Sequence, residues 1–260
     1  MTIKQGVAWL RIAPALRALL AALLTVAWIS PAMAQTDAAA LSESLDWDMK
    51  RDRDGIQVFT ATVPDSRHKA VRGTMQVAAP LKDFVALVLD TEACSDWAAL
   101  CKESYVAARE SDVEFHVYTY NDLPWPVADR DAVAHVLWSV DSESGRADMV
   151  ATIASGVVDK HKRALRLSEG ITSWTFTPNA DGTLVESFAH LNPGGGVPAW
   201  VTNMLLVDSP FDTLKAMRKV VTSGAYAEHS VSFLETDATP APPAEDPMVE
   251  TSLAPAADIQ

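Results

Sequence analysis

The chain has 260 residues, with 34 Asp and Glu against 21 Lys and Arg, a formal net charge of -13 and 48% hydrophobic residues. That is enough apolar material for one sizeable core. The acidic balance argues against nucleic acid as a partner and against electrostatic attraction to anionic membranes.

The first 34 residues read as an export signal. Lys4, Arg11 and Arg17 precede the apolar stretch Ala18–Ile29, and Ala32-Met33-Ala34 supplies the small residues a signal peptidase requires. A membrane-spanning helix needs about 20 apolar residues, more than this run has. Cleavage after Ala34 would release a periplasmic or secreted protein with a net charge of -16, three positive charges having left with the leader.

Beyond the leader, "WDMKRDRDGIQVFTATV" predicts two strands about an Arg-Asp-Gly turn, and Lys69–Val77 a third. In "APLKDFVALVLD", Leu81, Phe84, Val85, Val88 and Leu89 recur at helical spacing after Pro80. Cys94 and Cys101 follow, and an oxidising compartment favours their pairing over a thiol nucleophile. On an unbroken helix, positions seven apart lie about 10.5 Å apart along the axis. A disulfide requires Cα atoms within about 7 Å, so the helix must end or bend before them.

"SYVAARE", "DVEFHVYTY", "DAVAHVLWSV", "ADMVATIAS", "ITSWTF" and "TLVESFAHL" then predict consecutive strands, the last two joined by "PNADG". Such a run implies an antiparallel meander. In "VEFHVYT", one face carries Val113, Phe115, Val117 and Thr119 and the other Glu114, His116, Tyr118 and Tyr120. Alternation alone leaves open which face turns inward.

The final element begins in "NPGGGVPAW". A phosphate cradle would place a cation beside the glycines, yet no Lys or Arg occurs between Gly196 and Lys215. Gly194, Gly195 and Gly196 therefore read as a hinge into a closing helix. Pro198 suits the first helical turn, and the apolar residues from Trp200 to Val221 follow at helical spacing, with Pro210 expected to kink or break the run. From Ala225 onward the chain has seven acidic residues, no Lys or Arg and the stretch "TPAPPAEDP". Residues 224–260 are therefore expected to be a disordered acidic tail, and without its seven acids the remaining domain carries -9.

The segments "NDLPWPVADRDAV", "PGGGVPAWVTNMLLVDSPFDTLKAMRKVV", "WDMKRDRDGIQVFT" and "LDTEACSDW…CKES" resemble the START (StAR-related lipid-transfer) domain, in particular its exported bacterial members, over Leu41 to Val221. The resemblance implies an α+β, helix-grip fold for residues 35–223: a curved antiparallel β-sheet wrapped around a long C-terminal α-helix. Between sheet and helix would lie an apolar tunnel for a lipid or sterol-like molecule, with no cofactor and no metal, in a monomer.

The apolar start of the last helix, Trp200, Val201, Met204 and Leu205, is the expected tunnel cover. Phe115, Val117 and Trp138 are candidate wall residues, and Met149, Trp174, Phe176 and Phe188 are further candidates, with ordinary core as the alternative for each. Trp125, fixed between Pro124 and Pro126, either closes the tunnel mouth, dips transiently into a membrane, or packs to hold its loop. Arg130 matches the family's "RD" strand start and would meet either a ligand head or an internal carboxylate, Asp112 or Glu114. Two other classes stay open. A helix-grip enzyme would draw on His116, Tyr118, Tyr120, His135 or His190, although no Gly-x-Ser-x-Gly or His-Glu-x-x-His motif is present. An envelope protein-interaction module would use the groove or the tail.

Overall fold

The computed structural model describes residues 31–235. Residues 1–30 of the expected leader and residues 236–260 of the expected tail lie outside the described residues; residues 31–34 fall at the start of the first helix.

Among the described residues, ten strands build one sheet: β1 (Asp48–Arg53), β2 (Ile56–Thr62), β3 (Lys69–Val77), β4 (Cys101–Arg109), β5 (Glu114–Asn121), β6 (Asp129–Val140), β7 (Ala147–Ile153), β8 (Ala164–Arg166), β9 (Gly170–Asn179) and β10 (Gly182–Leu191). Their order is β1-β2-β3-β10-β9-β7-β6-β5-β4, with β8 beside β6. All pairs are antiparallel except the short β6–β8 pair. The helices are α1 (Pro31–Ser44), α2 (Leu81–Leu89), α3 (Cys94–Trp97), α4 (Ala199–Asn203), α5 (Ser209–Thr222) and α6 (Ser232–Glu235). This is the expected α+β arrangement of a large antiparallel sheet with a C-terminal helix packed on it.

The strand expectations recur closely. Arg53 pairs with Ile56 across the first hairpin, and Asp54 and Gly55 both have positive φ, the conformation a two-residue turn of this hand demands. The register also decides the face left open by alternation. Phe115 lies opposite Val136 and Val117 opposite Ala134, on the face shared with Met149, Trp174 and Val185. This inner face carries α2 and α5, whereas His116, Tyr118 and Tyr120 point to the other side.

The two cysteines form a disulfide with Cα atoms 5.9 Å apart. Helix α2 stops at Leu89, a single 3-10 turn and the one-turn α3 follow, and Leu100 at φ 71° reverses the chain into β4. The bend that the spacing required is therefore built from two short helical turns.

Half of the inner face is solid. Phe84 of α2 stacks on Phe176 at 5.7 Å, Trp174 and Trp138 flank Phe176 at 6.1 and 6.3 Å, and Phe84, Phe176, Leu214 and Met217 are fully buried. On the outer face, Arg72 is stacked between Trp47 and Phe59, and Leu45, Ala61, Val63, Ala70 and Phe188 form a second small core beside α1.

Two segments differ from expectation. Residues 225–235 are packed: Tyr226 and Val231 are buried, the Tyr226 hydroxyl donates to Asp90 at 2.9 Å, and Phe233 meets Trp138 at 5.7 Å. Packing thus extends past the expected boundary at residue 223, through Tyr226, Val231, Phe233 and Leu234. Helix α1 and the three-residue β8 carry too little apolar periodicity to be read from sequence.

Candidate ligand cavity

The last helix is the element that makes room. Its axis runs from α4 through a wider π-helical turn, Met204–Asp208, into α5, with the Ser209 N–H donating to the Met204 carbonyl five residues back. Pro210 supplies no N–H and its ring crowds the preceding turn, so the helix widens there and continues, where a kink or break was expected. From Phe211 onward, Leu214, Met217 and Val221 fill the space over the sheet. Before Pro210, they do not.

Beneath the π turn lies a cavity of about 880 Å³. It occupies the end of the sheet at which β3, β6 and β9 begin and β2, β5 and β10 finish. Leu205, Leu206 and Val207 of the π turn roof it, and Val71, Leu123, Leu167 and Leu191 are among its apolar walls. Trp174 closes its floor, with its other contacts, Trp97 at 5.9 Å and Phe176 at 6.1 Å, leading into the solid core.

The residues singled out from sequence distribute as follows. Leu205, Arg130 and Gly195 border the cavity. Val201 is fully buried but faces elsewhere, Met204 is half-buried outside the lining, and Trp200 is 52% exposed. Phe115 and Trp138 are buried in the solid core, with Val117 packed against it. Trp125 projects from the β5–β6 loop at 89% exposure, so it neither packs its loop nor plugs the cavity. Gly194 and Gly195 have φ of 63°, and a Cβ on Gly194 would come within 2.6 Å of Leu165, whereas Gly196 faces open space.

Arg130 is 6% exposed, and neither Asp112 nor Glu114 is its partner. Its Nε donates to the Pro193 carbonyl at 2.8 Å, Nη2 to the Gly194 carbonyl at 2.9 Å, and Nη1 to the Ala128 carbonyl. The arginine therefore ties the glycine loop to the start of β6. Burial pulls its pKa down, and no carboxylate is ion-paired with it among the described residues. Glu114 instead meets His135 at 2.9 Å, and Asp112 accepts from Ser232 at 3.0 Å.

The acid–base candidates gather on the outer face. His116 stacks on His135 at 4.9 Å with Glu110 3.0 Å from its Nδ1; His190 meets Ser66 at 3.0 Å; and the Tyr120 hydroxyl donates to Asp129, which pushes the tyrosine up to about 12. None of these five side chains lines the cavity. No group of three or more His, Cys, Asp or Glu suited to a metal occurs among the described residues.

Sequence reasoning missed the basic residues of the cavity, Lys50, Arg67, His68 and Lys69. Lys50 lies within β1, Lys69 at the start of β3 and Arg67 and His68 in the turn before it, where cations are ordinary surface residues, and only the three-dimensional register brings them to one void.

A sequence model of the START domain matches residues 31–224. The chain belongs to the START domain family. The START protein described here is 31% identical over 180 residues to the uncharacterized protein PA1579 of Pseudomonas aeruginosa, covering 69% of this chain and 87% of that one. It is also similar to the crystal structure of a STAR-related lipid transfer protein from Xanthomonas axonopodis, with 30% identity, 68% and 98% coverage and a TM-score of 0.62. Human StAR-related lipid transfer protein 5 shares the fold at 17% identity, with a TM-score of 0.65 over 75% of this START chain and 99% of the human one.

Proposed function

We propose that this START protein holds one lipid or other apolar small molecule in the cavity beneath the π turn and carries or presents it in an exported compartment. The observation behind this reading is the cavity itself: about 880 Å³ of largely apolar space within the size range of small-molecule sites. A domain that fills half its inner face with stacked aromatics and leaves the other half open gives up packing energy there. Family membership points the same way, and the Xanthomonas relative is itself described as a lipid transfer protein.

In this reading Leu205 and its two successors cover the ligand, Trp174 sets its depth, and Arg130 fixes the loop beside it. The glycine loop, held by Arg130 at the Pro193 and Gly194 carbonyls and open around Gly196, is the hinge through which α4 and the π turn swing to admit cargo. Trp125, Leu165 and Trp200 are the exposed hydrophobic side chains at the cavity end, suited to brief insertion at a membrane interface while cargo is exchanged. The protein acts as a monomer, without cofactor, after removal of residues 1–34.

Purification under mild conditions followed by organic extraction and native mass spectrometry tests the proposal. A bound apolar molecule, displaced by a fluorescent lipid analogue, supports it. An empty protein that also fails to take up such analogues overturns it.

A further inference from the structure

We infer that the ligand carries negative charge: the cavity is built for an anionic amphiphile, with an apolar body and a carboxylate or phosphate head. This rests on the ligand-binding reading above and adds the chemistry of the head group.

The charge around the cavity runs against the charge of the protein. The chain has a net charge of -13, yet Asp and Glu are missing from the cavity lining among the described residues, while Lys50, Arg67, Lys69 and Arg130 line it together with His68. Elsewhere cations are commonly matched: Arg166 with Asp131, Arg146 with Asp148, Lys82 with Asp83 and Lys102 with Asp122. Of the cavity's cations, Lys50 alone has such a partner among the described residues, Asp48 in the same strand. Asp208, in the same turn as the roof residues, is already held by Arg51 at 2.6 Å.

Arg130 strengthens the case because it is almost wholly buried. Three backbone carbonyls accept from its N–H groups without neutralising it, and the nearby Asp129 carboxylate acts on it only through space, its own hydrogen bonds going to the Tyr120 hydroxyl and the Leu123 N–H, so no carboxylate contacts the guanidinium among the described residues. Such a charge in low-dielectric surroundings attracts an anion far more strongly than it would in water. Arg67 and Lys69 are exposed, form no ion pair among the described residues, and line the same cavity as apolar Val71 and Leu191. An amphiphile whose chain runs toward Trp174 would leave its head among Arg67, His68 and Lys69, where planar and point-like donors suit carboxylate or phosphate oxygens.

The experiment is a calorimetric comparison of three probes that share one oleoyl chain, namely oleate, oleoyl-lysophosphatidate and neutral monoolein, on the mature protein and on the double variant Arg67→Glu/Lys69→Glu. Both replaced side chains are exposed, so the variant should keep the parent's melting curve. At low ionic strength the two anions should bind about tenfold more tightly than monoolein, and the advantage should shrink as salt is added. In the double variant that advantage should vanish while monoolein stays within about twofold of its parent value.

Preference for oleate over lysophosphatidate, or the reverse, assigns the head as carboxylate or phosphate. Equal affinity for all three probes overturns the anion inference and leaves the carrier reading standing. Binding of none of them, by a protein that also takes up no fluorescent lipid, overturns both. A double variant that loses all three probes alike, with its fold intact, also overturns the anion inference.

Discussion

At the scale of single residues, the cavity makes Leu205 and Met204 unequal although they are neighbours in an apolar run. Leu205 faces the void and Met204 does not, so Leu205→Trp should block uptake of a fluorescent lipid while Met204→Trp leaves it near the parent level. Equal behaviour of the two variants in a titration would contradict the assigned roof. Asp131 offers a second test. It is fully buried and its Oδ2 accepts from Arg166 at 2.7 Å and from the His161 N–H at 3.0 Å. Burial alone would raise its pKa, but these two donors and the guanidinium charge outweigh burial and lower it. The stabilisation is therefore complete above the unfolded carboxyl value of about 3.9 and is lost as pH falls through the lower folded value. Asp131→Ala strands the buried Arg166 charge and should cost about 3–5 kcal/mol at neutral pH. In urea melts, that gap should narrow as pH drops below about 4. The sequence marked Arg130 as important by its place at a strand start, but named carboxylate partners, because carbonyls of a distant loop leave no trace in a side-chain pattern.

At the scale of elements, alternation located strands such as β2 and β3, in which buried residues alternate with more exposed ones along most of their length. Helix α1 and strand β8 escaped, the one rich in alanine and the other three residues long. The glycine run was legible as a hinge candidate, yet its three members are not equivalent. Gly194→Ala places a side chain at positive φ and against Leu165, which should destabilise by about 1–2 kcal/mol. Gly196→Ala meets nothing and should be thermally silent. If the loop is the gate, Gly196→Ala should also slow ligand exchange more than it changes affinity, which stopped-flow association and release rates would reveal. The disulfide closes a short loop between α3 and β4. Replacing both cysteines with serine should lower stability by about 2–3 kcal/mol, read from chemical denaturation.

For the whole molecule, composition placed the start of the expected acidic tail too early, since Tyr226, Val231 and Phe233 are too few to register against their polar neighbours. What fixes their packing is contact with Asp90 and Trp138, far away in sequence. The cavity was legible only as an implication of the family resemblance. Its size, its basic rim and its position at one end of the sheet follow from register and from the widened turn before Pro210. The exposed Trp125 and Trp200 lie at that same end. Trp125→Ala/Trp200→Ala should slow lipid exchange between vesicles while leaving equilibrium affinity for a monomeric lipid within about twofold. The most direct test of the central claim is native mass spectrometry of the mature protein released gently from its own source cells. One apolar molecule per chain, lost from Leu205→Trp, is the expected result. A ligand-free spectrum, together with no displacement or uptake of any lipid probe, would contradict it.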